Sequence, residues 1–210
     1  MGVIKQGILG GVSGKVANVV GSSWKGIAYL KALPLSVANP NTAAQQLQRG
    51  KMREIVEDAR LLLAALLQVY WNPFAQAMSG YNAYVKENID AYDQTSLATP
   101  ADLFASRGTL LSTPDAAGVE GGTVNDTTVT WTDNSGTADA LGTDEMHALV
   151  WNETQDEWLF WDNFAIRSAA TGGLTATGYA SSDVIHVWVF PARPDVSKTS
   201  DSVYSTYTIA

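Results

Sequence analysis

The sequence has no cysteine, only two histidines and, over its first 53 residues, no acidic side chain. The missing thiol excludes disulfides and thiolate metal sites and leaves the redox compartment open. Charge of either sign is scarce, at 16% of residues. That is below the usual quarter, so much of the surface is small, weakly polar and readily buried against partners. Long apolar runs are absent too. The most apolar segment, 61–70, is about half of the roughly 20 residues that a bilayer-crossing helix needs, so no membrane partner is expected. The apolar start is interrupted by Lys5, Gln6, Gly10, Gly11, Ser13, Gly14 and Lys15, so no Sec signal peptide is expected either.

What the chain does have is charge polarity. Residues 1–53 carry Lys5, Lys15, Lys25, Lys31, Arg49, Lys51 and Arg53, interleaved with glycines, whereas all 21 acidic residues lie beyond, against six basic ones. A head of +7 on a remainder of −15 points to a negatively charged partner. Two partners fit: nucleic acid, or the acidic body of another copy of the same chain. The second uses the same residues without the repulsion that the negative remainder would impose on DNA.

Periodicity divides the chain. Runs at 15–20 and 24–33, rich in β-branched and aromatic residues, flank Gly21-Ser22-Ser23, which predicts a hairpin turn there. The apolar residues of this region are too few to form a core alone. Met52, Ile55, Val56, Ala59, Leu62, Leu63 and Leu66 recur at three- and four-residue steps, predicting a long amphipathic helix, and Pro73 suits the first turn of a second one. Beyond Tyr92 helical spacing stops. Strands are predicted at 127–132, 145–152, 157–162, 165–168, 174–177, 184–190 and 202–209, spaced as in an all-β sandwich. The corner at 152–156 pairs the second and third of these and brings Trp151, Trp158 and Trp161 near one another.

Catalytic and ligand motifs fail on their spacing. Gly10-Gly11-Val12-Ser13-Gly14-Lys15 has a Gly-Lys pair, but Leu9 stands where a phosphate loop needs glycine and Val16 where it needs a hydroxyl. His147 and His186 lie within predicted strands without ligand-like neighbours, which disfavours a zinc site. No nucleophile elbow accompanies either. The oxygen-rich loop with Asp133, Asn134, Asp139, Asp144 and Glu145 lacks EF-hand spacing for calcium, and no carboxylate pair is singled out for glycoside hydrolysis. Seven tryptophans suggest sugar stacking, although strands absorb such side chains into their packing more often.

Three groups of residues carry a resemblance. They are Gly7 to Val16 with Val19-Val20-Gly21-Ser22-Ser23-Trp24-Lys25-Gly26, then Asn39-Pro40-Asn41-Thr42 with Gln45 and Gln48-Arg49, then Ser106 to Leu110, Thr130 to Gly136 and Ser202-Val203-Tyr204. Together they resemble an uncharacterised Gly-rich, Trp-Lys-Gly protein family of Bacteroidetes-type bacteria and their phages. The resemblance implies no activity, cofactor or catalytic residue, and its phage association implies a virion or particle component.

The expectation is therefore an α+β chain. It comprises a basic Gly-rich β arm (1–40), a helical hairpin (41–96), a linker (97–114) and an antiparallel immunoglobulin- or fibronectin-like β-sandwich (115–210). Its expected role is a non-enzymatic, self-assembling homo-oligomeric subunit of a phage virion, cytoplasmic before assembly. No cofactor is expected, and the joints are expected at Lys15, Trp24, Lys25, Tyr29, Arg49, Lys51 and Arg53. Other particle proteins are further partners, nucleic acid ranks behind protein, and a carbohydrate-binding or adhesion module is the alternative.

Overall fold

The computed structural model describes residues 3–4, 12–34, 36 and 39–210; Lys5, Leu9 and the glycines at 7, 10 and 11 lie outside them. The chain forms two compact units, 1–42 and 43–210. It is a mixed α/β protein with three antiparallel sheets and a few helices, mostly strands.

The first unit is a sheet of β1 (Val3–Ile4), β2 (Val12–Val16), β3 (Val19–Trp24) and β4 (Ile27–Ala32) in that order. The turns fall at Ala17-Asn18 and Lys25-Gly26, with Ala17, Lys25 and Gly26 at φ 50°, 48° and 82°. Left-handed backbone in two-residue loops matches the twist of the strands they join. The turn predicted at Gly21-Ser22-Ser23 is corrected: those residues lie inside β3. Gly21 serves a close approach instead, since a Cβ there would come within 2.0 Å of the Val12 carbonyl oxygen.

The second unit opens with α1 (Ala43–Leu61), continued by a π-helical segment (Leu63–Trp71) in which the Leu67 amide reaches back five residues to Leu62. Ile55, Ala59, Leu62 and Leu66 form the predicted stripe and are buried, whereas Met52 and Leu61 stay exposed. Helix α2 (Gly80–Asn88) starts later than Pro73. Asn72 explains the delay: its Oδ1 accepts the Gly80 amide at 2.8 Å while its Nδ2 donates to the Gln68 carbonyl. The clamped chain must then travel to Ser79, whose hydroxyl caps α2 by accepting the Asn82 amide.

Seven strands follow: β5 (Ala117–Glu120), β6 (Asp126–Thr130), β7 (Glu145–Asn152), β8 (Glu157–Ile166), β9 (Thr171–Thr175), β10 (Val184–Ala192) and β11 (Val203–Thr208). They form one sheet in the order β11-β10-β7-β8 and another in the order β5-β6-β9. β5 was not expected, and the run predicted at 157–162 joins the start of that predicted at 165–168 in one strand, β8, paired with β7 across a bulge between Met146 and Ala148, while Arg167 and Ser168 fall in a 3-10 turn. The central strands β7 and β10 are buried on both faces, in strict alternation. Met146, Ala148 and Val150 with Ile185, Val187 and Val189 pack with Val129, Trp131 and Leu174. Leu149, Trp151, Trp188 and Phe190 pack with Ile55, Leu66, Tyr70, Trp71 and Tyr84 from the helices. Two-sided burial explains why β7 and β10 read as nearly continuous apolar runs.

Candidate functional site

The predicted joint residues divide between the units. Lys15, Trp24 and Tyr29 lie in strands of the N-terminal sheet, Lys25 in its β3–β4 turn, and Arg49, Lys51 and Arg53 on α1. Alternation along β2, β3 and β4 sets which side chains share a face of the sheet. Lys15 pairs in register with Val20 and Val20 with Lys31, followed by Ser22 with Tyr29 and Trp24 with Ile27. These residues form one face, basic and aromatic. The other face, with Gly14, Val16, Val19, Gly21, Ser23, Ala28, Leu30 and Ala32, carries no charge. Trp24 is 64% exposed, Ile27 66% and Leu30 62%. Lys25 folds over the Trp24 ring with its Nζ 4.9 Å from the ring centre, a cation–π contact that keeps a third positive charge beside the aromatic. On α1, Arg49 is exposed, Lys51 sits 3.6 Å from Asp90, and Arg53 donates to Glu54 and to the Gln94 carbonyl. Lys51 and Arg53 are thus engaged within their own copy.

In the second unit a cleft of about 230 Å³ is lined by Glu54, Asp58, Thr95, Ser96, Leu97, Trp151, Glu153 and Asp156. Its acids are held individually. Asp58 accepts from the Tyr92 hydroxyl at 2.9 Å, Asp156 from the Trp151 indole at 3.2 Å, and Glu153 meets the His186 Nε2 at 3.0 Å. Burial pushes the Asp58 carboxyl up to about 6, because desolvation penalises its charged form more than the hydrogen bonds favour it. Trp151 and Trp158 stack with their rings 5.5 Å apart, as the predicted corner requires, while Trp161 pairs with Ala148 farther along.

Both histidines are buried. His147 Nδ1 accepts the Asn163 amide at 3.0 Å, and Asn163 stands at the β7–β8 bulge with φ 45°. Tyr70 donates to Asp162 at 2.5 Å beside the same ring. Burial lowers His147 to about 4, outweighing the attraction of Asp162. A ring packed against Tyr70, Phe160 and Phe190 is a structural group without substrate access. In the loop weighed for calcium, Asn134, Asp139 and Asp144 turn their oxygens to cations of the same chain, and Asp133 accepts the Ser135 amide. Asp144 is fully buried and meets Arg167, also fully buried, at 3.1 Å, and Arg193 besides. Arg167 further donates to Asn134 and to the Leu111 carbonyl, and Asp139 meets Lys198 at 2.9 Å. Among the described residues no group of three or more histidines and acids is placed to hold a metal, and no helix is long and apolar enough to cross a membrane. Of the remaining tryptophans, Trp71, Trp131, Trp151 and Trp188 are buried, and Trp158 and Trp161 are half-buried.

Fold and surfaces define a mixed α/β protein with a small, open, basic sheet preceding a self-sufficient acidic unit. The chain belongs to the family of unknown function DUF6266, whose model matches residues 11–206. No curated protein matches the sequence.

Proposed function

We propose that this chain is a non-enzymatic, self-assembling structural subunit, a capsid- or tail-associated component of a phage virion. In this reading residues 1–40 act as a basic arm, and residues 115–210 form an immunoglobulin- or fibronectin-like sandwich that carries the negative surface for another copy. One observation carries the reading: every residue of β4 is exposed, and with it Trp24, Ile27, Tyr29 and Leu30. A small sheet with large apolar side chains in water on both faces gains little from its own packing to offset the entropy of ordering. A partner surface supplies the missing burial, and the absence of acid in the arm directs it to negative charge. Contact between two different surfaces of identical chains is heterologous and produces rings or filaments. The phage association of the family that the sequence resembles is what directs the assembly to a virion.

The carbohydrate-binding alternative has weaker support, because the strand tryptophans that would stack on sugars are buried or half-buried. Sedimentation velocity of the full chain at low and high salt tests the proposal. Concentration-dependent growth that weakens with salt is expected, and a strict monomer at high concentration in both conditions overturns it.

A further inference from the structure

We infer, building on that assembly reading, that the arm docks through its Lys15–Lys31 face and that the occupant of this face is the acidic unit of a second copy. Three observations on the sheet single out that face. First, register places Lys15, Val20 and Lys31 in one cross-strand row, with Ser22–Tyr29 and Trp24–Ile27 in the next two. The two lysines therefore stand two strands apart, on the order of 10 Å, with Tyr29 and Trp24 beside them as flat apolar contacts. Second, the opposite face is obstructed at one point, although its other residues are exposed. β2 passes through Gly14 at φ 95° and brings Val12 over Gly21, which is buried, leaving no room for even a methyl group. Third, Lys25 adds its charge on the Trp24 side rather than on the aliphatic one.

The charge of the face selects its occupant. Lys15 and Lys31 are exposed and meet no carboxylate among the described residues, and the first 53 residues contain no acid to neutralise them. Stacking two such faces on one another would bury like charges, which opposes association rather than contributing to it. The second unit of another copy carries all 21 acids and complements the face, while the same acids would oppose the approach of a nucleic acid.

Full-length protein mixed from natural-abundance and ¹⁵N-labelled chains and treated with a zero-length carbodiimide reads the contact directly. The expected products are mixed-isotope cross-links from Lys15 and Lys31 to Asp or Glu of the other chain. In parallel, K15E/K31E is expected to weaken association at low salt by roughly tenfold or more, with V16S/L30S close to wild type. Loss of assembly in V16S/L30S with K15E/K31E unaffected assigns docking to the aliphatic face and overturns the inference while leaving the assembly reading standing. If both variants weaken association, mixed-isotope lysine cross-links support the inference and their absence overturns it. Growth only when single-stranded DNA is added overturns it in favour of nucleic acid. A wild-type chain that stays monomeric removes the assembly reading and the inference together.

Discussion

Strands β4 and β10 make the instructive contrast. Both are antiparallel and flanked by partners or turns of the same chain, yet all six residues of β4 are exposed, whereas eight of the nine in β10 are buried. The difference is in what covers the faces. β10 is covered by helices on one side and by the β5-β6-β9 sheet on the other, and its polar groups are answered inside the unit, as His186 is by Tyr204 and Glu153. β4, at the end of its sheet, has a hydrogen-bonded neighbour, β3, along one edge and water on its faces. Main-chain pairing sets strand geometry, but the free energy that holds a sheet comes from what lies across its faces. A unit that closes its own core and one that leaves its faces open answer differently to substitution, pH and partner.

The largest break of this contrast comes at Asp144. Asp144→Ala strips the fully buried Arg167 of its carboxylate and takes one from Arg193. An uncompensated buried charge of this kind costs about 3–5 kcal/mol. Urea titration is expected to show the loss in the unfolding of 43–210, with backbone amide exchange in 12–32 unchanged. A loss below about 1 kcal/mol would mean that water already reaches the triad and that the second unit is less closed than its burial indicates.

Next in size are two titrating groups of the second unit, the buried His147 and the half-buried Asp58. His147 is held neutral, at about 4 against an ordinary 6.5. The unfolded chain therefore takes up a proton that the folded one refuses as pH falls from 6.5 to 4. Stability present above 6.5 is lost through that window, on the order of 3 kcal/mol, and His147→Gln is expected to remove that loss, so that its stability relative to wild type rises as pH falls. Asp58 acts in the opposite sense. Its carboxyl is raised to about 6 from 3.8, so its contribution is fully present below 3.8 and lost as pH rises through 6. Asp58→Asn is expected to gain on wild type at pH 8 and to lose that gain by pH 4. The two contributions oppose one another between pH 4 and 6 and largely cancel in the wild type, so the variants carry the test: thermal melts at these pH values check both, and variants that run parallel to the wild type from pH 4 to 8 would refute the assignment.

Legibility in the sequence followed the same division. Strand 145–152 and its pairing with the strand starting at Glu157 were readable, because β-branched and aromatic runs flank the Asn152 corner, where the Asn152 side chain accepts the Thr154 and Gln155 amides. The helical stripe through Ile55, Ala59, Leu62 and Leu66 was readable because a packed face imposes a period. The turns of the N-terminal sheet were not. Gly21 resembles a turn glycine locally and is needed for a contact with Val12 nine residues earlier, while Lys25, a poor candidate by type, takes the left-handed turn. Moving the turn to 25–26 changes the pairing, so the sharing of one face by Lys15 and Lys31 became visible only with the register. The acids of the 133–145 loop were legible as a group, but their partners Arg167 and Arg193 come from distant sequence.

The smallest expected effect sharpens the contrast most. Leu30 is 62% exposed and lies on the uncharged face of the N-terminal sheet, whereas Leu149 is fully buried in the second unit. Truncating Leu149 to Ala removes packed methylenes and costs about 2–5 kcal/mol, but Leu30→Ser removes a side chain that water already surrounds. The folded monomer is expected to change by less than about 0.5 kcal/mol, read as melting of dilute full-length protein at high salt, where charge-driven association is screened. The value is informative because it is near zero. A loss of 1 kcal/mol or more for Leu30→Ser under those conditions would mean that this face is buried within the isolated chain. The N-terminal sheet would then be a finished domain like its neighbour, and the need for a second copy to cover it would disappear.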